Sequence, residues 1–193
     1  MPTWSRRVCA HDSLAPNLVT ITLRADPLPV ERPSGARRLI LRFLSLYPPF
    51  LGAGIRVHRI PGDPPGYESR LHLHFWNKNY YGAHFGGALY TMCDPFYVLI
   101  LAAELGSGYA VWDKTATIRF RRPGRGTLSA RFEITRTKVE LIRVAADAGE
   151  RLEPTFIAEV RNQAGELVAE VEKVLSVRRR DRDRERMEAT SKG

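Results

Sequence analysis

The chain has 193 residues, 44% of them hydrophobic and 26% charged, which fits one domain with a packed core and excludes wholesale disorder. Its formal net charge is +9, but the excess sits at the ends: residues 1–42 carry seven basic and three acidic side chains, 178–193 seven and four, and 43–177 sixteen and fourteen. A nearly neutral centre argues against a specific nucleic-acid surface and for weak, nonspecific attraction to anions.

In chain order, residues 1–35 hold one short β-like run, Leu18–Leu23, and read as a loosely attached extension. Residues 36–51 suggest a helix stopped at Pro48-Pro49. Ile55 and Val57 alternate with Arg56 and His58; after a Pro/Gly-rich loop, Leu71, Leu73 and Phe75 alternate with His72, His74 and Trp76, giving two half-buried strands. Gly87 to Leu105 is apolar, too long for a strand and followed by Gly106, so it predicts one central buried helix. Period-two patterning returns at Ala116, Ile118 and Phe120, and again at Leu128, Ala130, Phe132 and Ile134. A short helix over 138–148 precedes a hairpin of 155–161 and 167–177 around Asn162–Gly165. The expected parts are an extension (1–35), a domain with a leading helix (36–178) and a solvated charged tail (179–193). A curved antiparallel sheet wrapped around one long helix satisfies this order with short connections, an α+β arrangement like the hotdog fold.

No apolar run reaches the ~18 residues that span a bilayer. The longest, Ala88–Ala103, is broken by Asp94 and Pro95. Arg6 and Arg7 are followed by no apolar stretch, so no secretory signal is expected. Cys9 and Cys93 form neither a metal spacing nor a disulfide framework, which points to the cytoplasm.

The chemistry-bearing stretch is Asn77–Asp94. Glycines directly before a helix bring free backbone N–H groups to a ligand, and the helix dipole favours an anion or oxyanion there; a tight packing turn is the plainer alternative. Asp94 lies amid apolar residues. It either caps a second helical segment starting at Pro95 or faces a pocket as base or nucleophile.

Asn79, Gly86, Gly87 and Asp94, with the later strand Thr117–Gly124, resemble the phenylacetate-degradation type of hotdog acyl-CoA thioesterases. That pattern has Asn, then His-Gly-Gly six residues on, then Asp seven after the second Gly, and later Arg-Pro-Gly, here Arg122-Pro123-Gly124. The family His falls on Phe85, with His84 one residue earlier. PPFLGAGIRV and VWDKTATIRF also resemble a bacterial hotdog subgroup known only as thioesterase-like. The resemblance covers residues 40 to 178. It implies acyl-CoA thioester hydrolysis without a metal or cofactor. In that scheme the Gly86 amide is the oxyanion donor, Asp94 the catalytic carboxylate and Asn79 a positioning residue. His84 either replaces the shifted His or caps the turn. Gly87 and Phe85 would border the substrate. A hotdog module that binds acyl thioesters or fatty acyl ligands without cleaving them is the alternative, motivated by Phe85.

Other residues weigh less. His72 and His74 share a strand face without an evident third ligand, so no metal is expected. Cys93 and His84 lie nine helical steps apart, ~13 Å and on opposite faces, which leaves Cys93 as packing. Asp113 and Lys114 read as a salt-bridged strand start or as a pocket mouth. Arg119, Arg121, Arg122 and Arg125 are either a solvated face or a phosphate clamp for the coenzyme A nucleotide. Gly86 and Asp94 are ~12 Å apart along one helix, whereas an attacking atom must lie ~3 to 3.5 Å from its carbon. Two antiparallel helices about a two-fold axis can bring them together, so a homodimer or homotetramer with shared sites is expected.

Overall fold

Pro48 and Pro49 start a helix instead of stopping one. In α1 (Pro48–Ala53) proline occupies the first positions, where no N–H is needed, and Gly54 closes the helix at φ 79°. The structure is a computed structural model that describes residues 44–181. The Leu18–Leu23 run, the extension, the first part of the expected leading helix and the end of the tail lie outside the described residues.

Six strands follow: β1 (Ile55–Ile60), β2 (Gly66–His72), β3 (Tyr109–Phe120), β4 (Thr127–Phe132), β5 (Thr155–Asn162) and β6 (Leu167–Arg179). They form one sheet in the order β1-β2-β4-β5-β6-β3, and every pair is antiparallel. The helices are α2 (Gly86–Thr91), α3 (Phe96–Leu105) and α4 (Arg136–Asp147). Thr135 caps α4, its hydroxyl accepting from the Lys138 N–H.

Where the sheet is covered, alternation predicted burial well. Leu128, Ala130 and Phe132 on β4, and Phe156, Ala158 and Val160 on β5, all point into the core. Three expectations are corrected. β2 begins at Gly66 and ends at His72, so Leu73 and Phe75 leave the strand and the Phe75 side chain is 80% exposed. β3 begins at Tyr109, and from Trp112 to Phe120 it is largely exposed on both faces; among the described residues it is an edge strand paired with β6 alone. The apolar segment Gly86–Leu105 is central but is divided by a turn at Met92–Pro95. By length and composition it is apolar enough to cross a membrane, yet half of it is buried against the rest of the fold.

The start of α3 is the packing centre. Phe96 stacks on Phe132 of β4 at 4.3 Å between ring centroids and meets Tyr67 of β2 at 5.6 Å. Tyr97 stacks on Phe156 of β5 at 4.7 Å and donates its hydroxyl to the Ile157 carbonyl at 2.8 Å. Three strands thus grip one helical turn. Phe96 has no exposed surface, so Phe96→Ala should destabilise the fold by about 3–5 kcal/mol in denaturant unfolding. A loss below about 1 kcal/mol would show that this contact is not central.

Candidate functional site

The segment that carries Asn77 to Gly87 is built by two asparagines and a histidine. The Asn77 amide donates to the carbonyls of Ala53 and His72 at 2.8 and 2.7 Å, and its oxygen accepts from His74 N–H. Asn79 Oδ1 accepts from the N–H groups of Tyr81 and Ala83, and its Nδ2 donates to the His84 carbonyl at 3.2 Å. Asn79 therefore shapes the turn that leads into α2.

His84 is buried. Its backbone N–H donates to the Gly124 carbonyl at 2.9 Å and its Nε2 to the Gly126 carbonyl at 2.8 Å. It clasps the Arg122-Pro123-Gly124 segment that follows β3 to the glycine turn, so the two separated pieces of the sequence pattern meet through it. Of the two alternatives for His84, the turn-holding one is what its contacts describe. Among the described residues its Nδ1 has no hydrogen-bond partner. Phe85, at the family His position, is 63% exposed. Its ring lies where a Cβ on Gly87 would stand, and a Cβ on Gly86 would come within 3.2 Å of the Phe120 ring. A Cβ at either glycine would push the exposed Phe85 or Phe120 ring from its present place. As first-turn residues of α2, Gly86 and Gly87 have N–H groups with no partner inside the helix. Asn79, Phe85, Gly87 and Thr91 border an open cavity of about 450 Å³ with Trp76 and Asn77.

Asp94 is outside that lining. It sits in the turn between α2 and α3, where Pro95 supplies no N–H and Ser69 of β2 donates its buried hydroxyl to the Met92 carbonyl at 2.7 Å. The second helix starts at Phe96 and Asp94 makes no capping bond to it. Instead, Asp94 Oδ1 lies 2.9 Å from Nζ of Lys173, a lysine of β6 with no exposed surface. The same ammonium lies 2.9 Å from Asp113 Oδ1 and donates to the Tyr90 hydroxyl at 3.3 Å. Burial pushes the Lys173 ammonium toward neutrality, but the Asp94 and Asp113 carboxylates outweigh it and hold its pKa above the ordinary lysine value. The Asp94 and Asp113 side chains keep 44% and 33% of their surface exposed.

Sequence reasoning missed Lys173 and Ser69. A signal for Lys173 was present: it falls in the inward phase of β6, between Val171 and Leu175. Asp113 is mid-strand beside a β-bulge that sets its neighbour Lys114 out of register, where Lys114 reaches Glu153 at 2.5 Å. Cys93 is fully buried and its thiol is pushed up to about 12, chiefly by burial, in keeping with a packing role.

The four arginines do not converge on one point. Arg119 and Arg121 lie 3.7 Å from Glu170, with Glu172 at 3.8 Å from Arg119, and Arg122 pairs with Glu166. Arg125 donates to the Tyr81 carbonyl at 3.5 Å. His72 meets Thr127, and His74 stacks on Trp76 at 4.2 Å. Among the described residues no group of three or more His, Cys, Asp or Glu side chains stands in a metal-holding arrangement. The carboxylate pair on Lys173 thus stands outside the lining of the cavity at the glycine turn.

Residues 35–177 match the family described as a domain of unknown function, DUF4442. The chain belongs to that family. Comparison of this DUF4442 protein with curated proteins finds no match. Among solved structures it is similar to a Pseudomonas aeruginosa protein of unknown function described as a probable thioesterase, with 21% identity, TM-score 0.63, and 77% of this chain and 98% of that one covered. A Haemophilus influenzae thioesterase follows at 17% identity and TM-score 0.53, covering 72% and 88%. The E. coli PaaI protein of the phenylacetic acid degradation operon gives 16%, 0.50, 72% and 91%. These likenesses establish the hotdog fold that the element order and the Asn79–Asp94 pattern predicted.

Burial is the first cause that lowers the His84 pKa, and it outweighs the hydrogen bond to Gly126. The unfolded imidazole takes a proton near the usual ~6.5, the folded one only at lower pH. Stability is therefore complete above that value and is lost as pH falls through the window below it. Melting temperature should fall more between about pH 7 and pH 5.5 in the wild type than in His84→Gln, which keeps a donor for Gly126 but does not titrate. Parallel curves for the two proteins would refute the buried neutral imidazole.

Proposed function

We propose that this protein hydrolyses acyl thioesters, with acyl-CoA as the substrate class, at sites shared between two copies of the chain. The observation that carries the reading is the Asp94 carboxylate, partly open to solvent at the break in the central helix and fixed through one oxygen by Lys173. The solved thioesterases of the same fold support it, as does the match of Asn79, Gly86, Gly87 and Asp94 to the thioesterase pattern.

In this scheme Asp94 takes a proton from water, whose oxygen attacks the thioester carbonyl carbon. The Gly86 N–H of the second copy, assisted by the α2 dipole, stabilises the oxyanion. The tetrahedral intermediate collapses, the C–S bond breaks, and the departing thiolate takes the proton from Asp94. The products are a carboxylic acid and a thiol. Asn79 acts through the turn that aims Gly86, His84 holds that turn to Gly124, and Phe85 and Gly87 border the acyl group. Of the four arginines, Arg122 and Arg125, beside the glycine turn, receive the nucleotide phosphates, while Arg119 and Arg121 stay with Glu170 and Glu172. Exposed ion pairs such as Arg122–Glu166 contribute about 0–1 kcal/mol and exchange readily for a phosphate.

The edge strand supports a second copy. Among the described residues β3 has its outer edge unpaired, and it carries Trp112 and Phe120 at 66% and 55% exposure. A long exposed edge of this kind is completed by strand pairing. The binding-module reading keeps one specific support, the exposed Phe85 ring where the family His is expected.

Thiol release from a panel of acyl-CoA esters should fall about 10²- to 10⁴-fold in Asp94→Asn. Wild-type binding without thiol release would instead select the binding module. Gly86→Pro tests the shared site with little cost to the helix, because proline suits a first helical position and Phe85 at ψ 130° already has the backbone that precedes proline. This variant lacks the N–H and carries ring carbons that push the exposed Phe120 side chain aside; with an unchanged melting temperature it should lose about 10²- to 10³-fold in kcat. Co-refolding Gly86→Pro with Asp94→Asn chains should restore about a quarter of wild-type activity, since each heterodimer regains one intact site. No recovery in confirmed heterodimers would overturn sharing.

A further inference from the structure

We propose that Lys173 and Asp113 are positioning residues for the Asp94 carboxylate: the buried ammonium fixes one Asp94 oxygen, and Asp113 competes for the same ammonium. The catalytic consequence rests on the thioesterase reading above; the positioning itself does not.

Lys173 projects from β6 into the core with Val171 and Leu175, and it reaches two acids delivered by irregularities in other elements. Asp94 comes from the turn that interrupts the central helix, Asp113 from the bulged stretch of β3. Both carboxylate oxygens stand 2.9 Å from Nζ. With no exposed surface, the ammonium cannot substitute water for these partners. The groups facing Asp94 are Lys173 from β6, Asp113 from β3, and Tyr90 and Cys93 from its own side of the helix break. The Tyr90 hydroxyl accepts from Lys173, which leaves its proton for the Asp94 carboxylate. Burial first, then this carboxylate, raise the phenol above its ordinary value, so it remains a donor.

Two acids on one cation give the cluster a net charge of −1, so its two supports push the Asp94 titration in opposite directions. Removing the cation disfavours the ionised carboxylate; removing the rival acid favours it. A side chain that merely fills space would move neither.

The test is a pH titration of the Asp94 side-chain carboxyl by carbon NMR in the full-length protein, the resonance being assigned with Asp94→Asn. In Lys173→Met, the Asp94 midpoint should rise by about one pH unit or more, and in Asp113→Asn it should fall. Lys173→Arg, which keeps the charge, should restore most of the wild-type midpoint. Should Lys173→Met not fold, the downward shift in Asp113→Asn remains decisive. An unchanged Asp94 midpoint in Lys173→Met or in Asp113→Asn, whichever folds, would overturn the proposal. If the wild type cleaves acyl-CoA, the acid limb of kcat/KM should follow the same two shifts. If it cleaves none, the thioesterase reading fails while the titration still decides the positioning.

Discussion

An ammonium group with no exposed surface is the constraint around which the rest of this structure is arranged. Lys173 stands in the core phase of β6, and a buried unpaired cation is costly enough to force neutralisation or unfolding. Its partners cannot come from a regular helix or a regular strand at those places. The central helix is broken at Met92–Pro95 and presents Asp94; the edge strand is bulged next to Asp113. Removal of one partner of a buried pair costs about 3–5 kcal/mol in general. Here two acids share the load, and each is partly solvated, so either can be neutralised while the ammonium keeps a counter-ion.

The helix break needs support of its own. Pro95 removes a donor, and the carbonyls before it lose helical partners. Ser69 answers at Met92, and the aromatic grip on Phe96 and Tyr97 fixes where the chain resumes its helix. Asp94 is thus bracketed by a serine hydroxyl two residues before it and by packed rings two and three residues after it. Little freedom is left in where its carboxylate points. Preorganisation of this kind is what a general base requires.

The covered strands were legible in the sequence because β4, β5 and β6 each bury one face, which writes itself as apolar alternation. β3 was misjudged for the converse reason. An edge strand exposed on both sides has no inward phase to read, and its Ala116, Ile118 and Phe120 alternation marks no buried face of this chain. The prolines at 48 and 49 misled because proline both stops and starts helices, and only the left-handed Gly54 tells which. Asp94 was visible as a charge among apolar residues. Its partner was hidden because a single lysine inside a strand reads as an outward residue unless its phase is counted.

The one-residue displacement of the histidine shows how the glycine turn keeps its geometry while its chemistry changes. His84 points inward and spends its Nε2 on Gly126, so the ring that a matching His would place at position 85 is a phenyl group at the cavity. In its present position that phenyl takes the space of a Gly87 Cβ, and Phe120 lies over Gly86. Glycines that the sequence pattern assigns to a close-approaching ligand are here approached by two aromatic rings. The surface next to the Gly86 amide is therefore apolar, and the polar groups nearest to it, Asn79 and His84, are occupied in holding the turn. The donors this turn offers are backbone N–H groups, which can polarise a carbonyl, while the unpartnered His84 Nδ1 is buried behind it. Under the proposed thioesterase reading the proton chemistry falls to Asp94, held through one oxygen by the buried Lys173 ammonium.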